Sequence, residues 1–329
     1  MTHDPGNHAL PPDDPSGFNL HMNMLFRMQY KNTTEATVDA ARIILRQCER
    51  SGTVRRVIHT ASVTAASPLR EDGGGGYKDF INESCWTPLN LSYGFSNVHL
   101  DAYVSSKSLS EQELLRYNDG DESSSPRTFE VVSLACALVG GDTIQPRSST
   151  VIVAPLTGHA THHNSLLFLQ ALLGSVPLAH VEDVCEAHAF CMDQPAMAGR
   201  FLCAAGYPSM RDILDRFATR FPEIKIQLQQ VTGEGVRVRG DTRKLEDLGF
   251  RYRYGVEETV DCSVECAKRL GELQVLYYLY MHVQIIMQTS WDPIAAIVIP
   301  YEMVFVYLPC VNFHRRLLVP NPNEFSLCF

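Results

Sequence analysis

The sequence lacks the cysteine patterns that bind zinc. Its ten cysteines include no C-x-x-C pair, and no cluster of cysteine and histidine has the spacing of zinc ligands. Cys262 and Cys266 lie one helical turn apart, a spacing that is more typical of a helix face than of a metal site. We therefore expect reduced thiols, a cytoplasmic location and no metal site.

An excess of positive charge is also missing. The chain has 28 Lys and Arg against 37 Asp and Glu, which gives a net charge of -9. This balance argues against a nucleic acid or an anionic membrane as the main partner. The N-terminal segment, residues 1–31, has neither the basic start nor the apolar run of a secretory signal, and we expect it to be irregular.

Helix-like and strand-like patterns alternate after residue 31. This alternation predicts βα units around a mainly parallel sheet, which is the α/β class. Thr34 is the predicted N-cap of the first helix. The predicted helices are 34–49, 101–116, 181–192, 210–221, 242–250 and 256–270, and the predicted strands are 54–61, 130–139, 176–180, 200–204 and 224–231.

Two segments stand apart from this pattern. Residues 71–79 contain four consecutive glycines, but they follow no strand directly and begin no helix, so we expect a surface loop and not a phosphate-binding turn. Residues 274–329 form an apolar tail. Two prolines and a glutamate interrupt its most apolar run, 294–311, which argues against a transmembrane helix.

A tyrosine and a lysine four residues apart, Tyr103 and Lys107, lie in the predicted helix 101–116. Side chains at this spacing share a helix face, and an ammonium near a phenol is expected to lower the pKa of the phenol so that it serves as a general acid. Ser62 follows the strand 54–61, at the sheet edge where ligands of α/β proteins bind. The pattern predicts a site that protonates a carbonyl during hydride transfer. The alternative is a solvated surface pair.

Several segments, in order, resemble the extended short-chain dehydrogenase/reductase family, in particular its plant branch of dihydroflavonol and anthocyanidin reductases. The matching stretches include TVRRVIHTAS (53–62), NESCWTPL (82–89), YVSSKSLSEQ (103–112), VPLAHVEDVCEAHAF (176–190) and GRFLCAAG (199–206). The resemblance covers residues 32–273. It implies NADPH as cofactor, a planar phenolic substrate, Ser62, Tyr103 and Lys107 as catalytic residues, and contacts of Tyr103 and Lys107 with the cofactor.

The resemblance also implies a division of the chain. We expect a Rossmann-like nucleotide-binding domain with the catalytic residues at 32–175, a smaller substrate lobe with closing elements at 176–273, and a tail foreign to the family at 274–329. Members of the family begin with a G-x-x-G-x-x-G turn that binds the pyrophosphate. Because residues 1–31 contain no such turn, we expect an N-terminally truncated domain and an incomplete, mainly parallel sheet.

Two positions near the predicted site depart from the family. An asparagine that is common five residues after the catalytic serine is Ser67 here, and the usual proline of the strand after the Tyr-Lys helix is Cys136. The sequence therefore leaves two alternative functions open. One is an NADPH-dependent reductase of a planar phenolic compound, and the other is a catalytically silent relative that does not bind the dinucleotide.

Other polar and aromatic residues have weaker patterns. His180 and Asp183 lie at a strand-to-helix junction near the substrate lobe, and we interpret Asp183 as a helix cap and not as a catalytic acid. Trp86 and Tyr93 either line an aromatic pocket or pack in the core. The histidine-rich run 159–163 is predicted to be a polar loop without metal.

Overall fold

The computed structural model describes residues 30–71, 75–119, 128–143, 151–273 and 325–328. Within these residues the helices and strands alternate, as the sequence predicts. In chain order the elements are α1 Thr33–Ser51, β1 Val54–Ser62, β2 Phe80–Ile81, α2 Val98–Leu115, β3 Glu130–Cys136, β4 Leu138–Gly140, α3 Ala154–Thr157, α4 Ala160–Leu173, β5 Leu178–His180, α5 Val181–Asp193, β6 Gly199–Cys203, α6 Met210–Arg220, β7 Arg239–Gly240, α7 Lys244–Asp247, α8 Val256–Arg269 and β8 Phe325–Cys328.

The main sheet is parallel and has the strand order β6-β3-β1-β8. The register of β1 with β3 ends at the pair Ser62 and Cys136, and that of β3 with β6 ends at Cys136 and Cys203. These three residues therefore lie side by side at the carboxyl edge of the sheet. The predicted α/β class with a mainly parallel sheet is confirmed.

The fourth strand comes from the C-terminal tail. Phe325–Cys328 pairs in parallel with β1 along Val54–Ile58, with a register shift near Val54. The rest of the tail, 274–324 and 329, and the N-terminal residues 1–29 lie outside the described residues. The proposed role of the tail as a segment foreign to the family stays a prediction.

Helix α1 packs on α2 and on β1. Its N-cap is Asn32, whose side chain accepts a hydrogen bond from the Glu35 N–H at 2.8 Å. The predicted cap, Thr34, is wrong, because the helix already includes Thr33. Gly52 ends the helix in the left-handed conformation, with φ of 61°, which glycine adopts without steric cost.

The predicted strand 130–139 is two strands. β3 ends at Cys136 and β4 begins at Leu138, where it pairs with β5 in a separate two-stranded sheet. The backbone N–H of Ala137, between them, donates to the Cys203 carbonyl. A continuous apolar run therefore crosses from one sheet to the next without a polar break.

Three predictions for the C-terminal half are wrong. Residues 224–231 form no strand, since Gln227 and Leu228 donate instead to the carbonyl of Pro155. The predicted helix 242–250 is reduced to the single turn α7. The histidine-rich run predicted to be a loop begins α4, whose apolar second half is buried in the largest hydrophobic cluster.

Among the described residues, no helix combines sufficient length with sufficient apolar character to cross a bilayer.

Candidate active site

The structure brings Ser62 and Tyr103 together at the carboxyl end of β1. Ser62 is the last residue of that strand and is 8% exposed, and its Oγ accepts hydrogen bonds from the Thr64 N–H at 3.3 Å and the Thr64 hydroxyl at 2.9 Å. The Ser62 hydroxyl lies close enough to the Tyr103 hydroxyl to lower the pKa of the phenol. The parallel strand and the helix that follows it thus bring two residues that are distant in sequence close together.

Lys107 lies one turn farther along the same face of α2. Its Nζ donates to the Thr60 carbonyl of β1 at 3.3 Å and lies 6.0 Å from the centroid of the Tyr103 ring. Helix α2 begins at Val98, where the Asn97 side chain accepts hydrogen bonds from the His99 and Leu100 N–H groups. All three residues predicted from the sequence therefore lie within one site.

The electrostatics of the site differ from the sequence-based expectation. The pKa of Tyr103 is raised, because burial of its hydroxyl outweighs the hydrogen bond from Ser62, which lowers it. The expected lowering by Lys107 is not found. The pKa of Lys107 is itself lowered by burial, an effect that Cys136 and Glu111 oppose.

Tyr103 is nevertheless accessible. Its residue surface is 44% exposed, so the ring is open to a ligand while its hydroxyl lies against Ser62. A phenol with a raised pKa is fully protonated near neutral pH. The arrangement can therefore donate a proton from Tyr103 to a bound oxygen, with Ser62 as a second hydrogen-bonding group.

Cys136 lies on the neighbouring strand, directly opposite Ser62 in the register. Its pKa is raised well above the usual range by a hydrogen bond with Cys203 and by burial. The thiol is therefore neutral at ordinary pH and does not act as a nucleophile. Ser67, the other departure from the family pattern, is fully buried and donates to the Leu172 carbonyl at 2.5 Å, so it holds the loop after β1 in place.

A buried ion pair close to the site was not anticipated from the sequence. Glu111, on α2, is fully buried and accepts hydrogen bonds from Arg200 on β6, with Nε and Nη2 each at 2.9 Å. Ser133 of β3 donates to the same carboxylate at 2.6 Å. The available signal was an arginine inside the apolar strand GRFLC, since a charge in a buried strand requires a partner.

The aromatic candidates pack against the protein. The guanidinium of Arg200 stacks on the Trp86 ring at 3.8 Å. The Tyr93 hydroxyl donates to the Pro88 carbonyl, and its ring contacts Phe168 edge-on at 6.4 Å. Of the two roles expected for Trp86 and Tyr93, lining a pocket or packing within the protein, both residues therefore have the second.

His180 and Asp183 have structural partners as well. His180 is the N-cap of α5, and its ring stacks on Tyr254 at 3.7 Å. Asp183 is not the cap that the sequence predicts. Its carboxylate instead accepts the backbone N–H groups of Arg253 at 2.9 Å and Tyr254 at 3.1 Å, which ties the segment before α8 to α5.

The histidine-rich run contains the N-cap of α4. The His159 side chain accepts from the His162 N–H at 3.4 Å, and the two rings stack at 3.9 Å. In the part of the chain that the structure describes, no cluster of His, Cys, Asp or Glu could hold a metal ion.

Comparison with known proteins identifies reductases that are similar to this chain. No family model matches the chain. The chain is 28% identical over 237 residues to a putative anthocyanidin reductase of Ginkgo biloba, which covers 70% of this chain and 66% of that protein. It is 28% identical over 247 residues to vestitone reductase of Medicago sativa, with 73% and 69% covered. It is 27% identical over 256 residues to dihydroflavonol 4-reductase of Zea mays, with 76% and 66% covered.

The chain is therefore similar to anthocyanidin, dihydroflavonol and vestitone reductases over about 70% of its length. The crystal structure of alfalfa vestitone reductase agrees, with a TM-score of 0.56, 26% identity and 73% of each chain covered. Yeast Gre2, crystallised with NADPH, shares the fold with a TM-score of 0.54, 19% identity and 74% and 75% covered. The resemblance to these reductases that the sequence predicts is confirmed. The chain spans about two thirds of the length of the curated reductases that it matches.

Proposed function

We propose that the chain is an NADPH-dependent oxidoreductase of the anthocyanidin and dihydroflavonol reductase type, which reduces a planar phenolic substrate. The observation that carries this proposal is the proximity of Ser62 and Tyr103 at the carboxyl end of β1, with Lys107 one helical turn away and bonded to the Thr60 carbonyl of the same strand. These residue types, in this geometry, suit proton donation to an oxygen during hydride transfer.

The residues present fit a nicotinamide dinucleotide. The Thr60 carbonyl occupies one of the three N–H donors of Lys107, so the ammonium can also donate to a ribose hydroxyl. The exposed ring of Tyr103 leaves this face of α2 open to the cofactor. When bound, the dinucleotide would supply the hydride. The choice of NADPH follows from the family resemblance and from the cofactor of the structurally similar yeast reductase.

In the proposed mechanism the protein moves one proton. The Tyr103 hydroxyl would donate its proton to the substrate oxygen, and the ammonium of Lys107 would then stabilise the phenolate. The Ser62 Oγ accepts from Thr64, which leaves its own proton for the substrate oxygen or for Tyr103.

A planar aromatic substrate needs apolar contact. Exposed apolar side chains lie in the segment that leads into α2 and on the first turns of that helix. These are Leu89, Leu91, Val98 and Tyr103, with exposed fractions of 39%, 37%, 74% and 44%.

A titration of the purified chain with NADPH, followed by tryptophan quenching, tests the proposal. We expect saturable binding that is weaker for NADH, followed by NADPH oxidation when an anthocyanidin or a dihydroflavonol is added. A folded chain that binds neither dinucleotide would overturn the proposal and would identify a catalytically silent relative.

A further inference from the structure

We propose that the buried Glu111–Arg200 ion pair is the positioning element of the site, because it fixes the turn of α2 that carries Lys107 and sets the charge around its ammonium. The inference deepens the proposed function and rests on it for the role of Lys107. Glu111 and Arg200 are positioning residues in this account, since neither contacts the Tyr103 hydroxyl or Ser62.

Glu111 is placed to control Lys107. It follows Lys107 by four residues, so the two side chains lie on one face of α2 at successive turns. Its carboxylate is fully buried and is held by Arg200 and by the Ser133 hydroxyl. This arrangement ties the middle of α2 to two strands of the main sheet. One is β3, which lies next to β1, and the other is β6, which lies next to β3.

Arg200 extends the same network to the loop before α2. Its Nη1 donates to the carbonyls of Glu83, at 3.3 Å, and Cys85, and its guanidinium stacks on Trp86. A planar guanidinium held on a carboxylate, two carbonyls and a ring has one orientation. The helix and the loop that leads into it are therefore fixed to the same strand.

The charged groups around Lys107 also support a positioning role for Glu111. The groups that face its ammonium are Tyr103 on its own helix, the Thr60 carbonyl of β1, Cys136 of β3 and Glu111. Because Cys136 keeps its proton at ordinary pH, Glu111 is the anionic group of this set that favours the charged form of Lys107.

Packing alone does not explain why the buried residues at positions 111 and 200 are charged. A buried ion pair is often no more stabilising than apolar residues of similar volume, because both charges lose their hydration. An apolar pair would also pack α2 against β6, but without the fixed orientation that these hydrogen bonds give. It would not provide a negative charge one turn from Lys107.

The test is the titration of Lys107 in the chain without cofactor. Lysines are reductively methylated with carbon-13, the Lys107 resonance is assigned with a Lys107→Arg variant, and its pKa is measured by NMR. We expect a lower pKa in Glu111→Gln than in the wild type. Glu113→Gln is the matched control, since Glu113 lies on the same helix but pairs with Arg42 and Arg116 at the surface, and we expect no change there.

A second variant protects the test against loss of fold. In the double variant Glu111→Leu with Arg200→Met, the buried charges are removed together, and we expect a folded chain whose Lys107 pKa is below that of the wild type but above that of Glu111→Gln, because the Arg200 cation is gone as well. An unchanged pKa in either folded variant overturns the inference. Unfolding of both variants also overturns it, because the pair would then be required for the fold itself. Failure of the proposed function would appear separately, as a wild type that does not bind NADPH.

Discussion

Successive turns of one face of α2 carry two kinds of polar site. Tyr103, at the first, is 44% exposed, and its hydroxyl lies near Ser62. Glu111, two turns on, is fully buried and is held by Arg200 and Ser133. The buried group has its hydrogen-bonding capacity used within the protein, whereas the exposed one can still serve a ligand. On this helix the residue that is available to a ligand, Tyr103, and the residue that holds the structure together, Glu111, therefore lie on different turns.

The largest effect on stability is expected at the buried end. Arg200→Ala leaves the Glu111 carboxylate buried without its cation, and breaking a buried pair in this way costs about 3–5 kcal/mol. Denaturant unfolding of the variant and the wild type measures the difference in the free energy of unfolding. A loss of less than about 1 kcal/mol in the free energy of unfolding would mean that the buried pair does not stabilise the fold as described.

The exposed end should affect turnover instead. Ser62→Ala removes the hydroxyl that we propose supports the reacting oxygen, and loss of such a donor lowers kcat by about 10²–10³-fold. Steady-state kinetics with NADPH and a phenolic substrate provide the measurement, and circular dichroism checks the fold. If kcat stays within a factor of two or so of the wild type, Ser62 has no part in the reaction.

The pH dependence of stability sharpens the comparison further. Burial raises the pKa of Tyr103 in the folded chain, so above about pH 10 the unfolded chain loses this proton first. The stabilising contribution of Tyr103 is complete below that pH and is lost as the pH rises through the folded pKa. Tyr103→Phe should therefore show a shallower fall in the free energy of unfolding above pH 10. Identical slopes would show that the folded state does not perturb this hydroxyl.

The smallest effect is expected at the exposed ion pair on the same helix. Glu113 pairs with Arg42 and Arg116, whose side chains are 51% and 66% exposed. Glu113→Gln should cost about 0–1 kcal/mol, because water competes for such pairs. Thermal unfolding at low and high salt measures this cost. A loss as large as that of Arg200→Ala would contradict the assignment of support to the buried pair.

The sequence was sufficient for the residues of the candidate site because their signals are local. The strand 54–61 ends in Ser62, and Tyr103 and Lys107 have helical spacing, so both features can be recognised without knowing the neighbouring elements. Their predicted roles remain a proposal. The α/β class followed from the same alternation of local patterns.

The features that the sequence did not reveal depend on contacts between distant segments. The strand predicted at 130–139 divides because Ala137 pairs with Cys203, a partner that no local pattern identifies. The pKa of Tyr103 rises instead of falling because desolvation depends on the packed surroundings. The burial of Glu111 likewise needs Arg200 from another strand, whereas a glutamate on a helix is usually solvated.

The most direct test of the central claim compares kcat of the wild type and of Tyr103→Phe, with the affinity for NADPH measured on the same samples. The account predicts that kcat falls by about 10²–10⁴-fold, the usual contribution of a general acid, while the affinity for NADPH changes little. Equal turnover of the two proteins would show that Tyr103 is not the proton donor and would contradict the account.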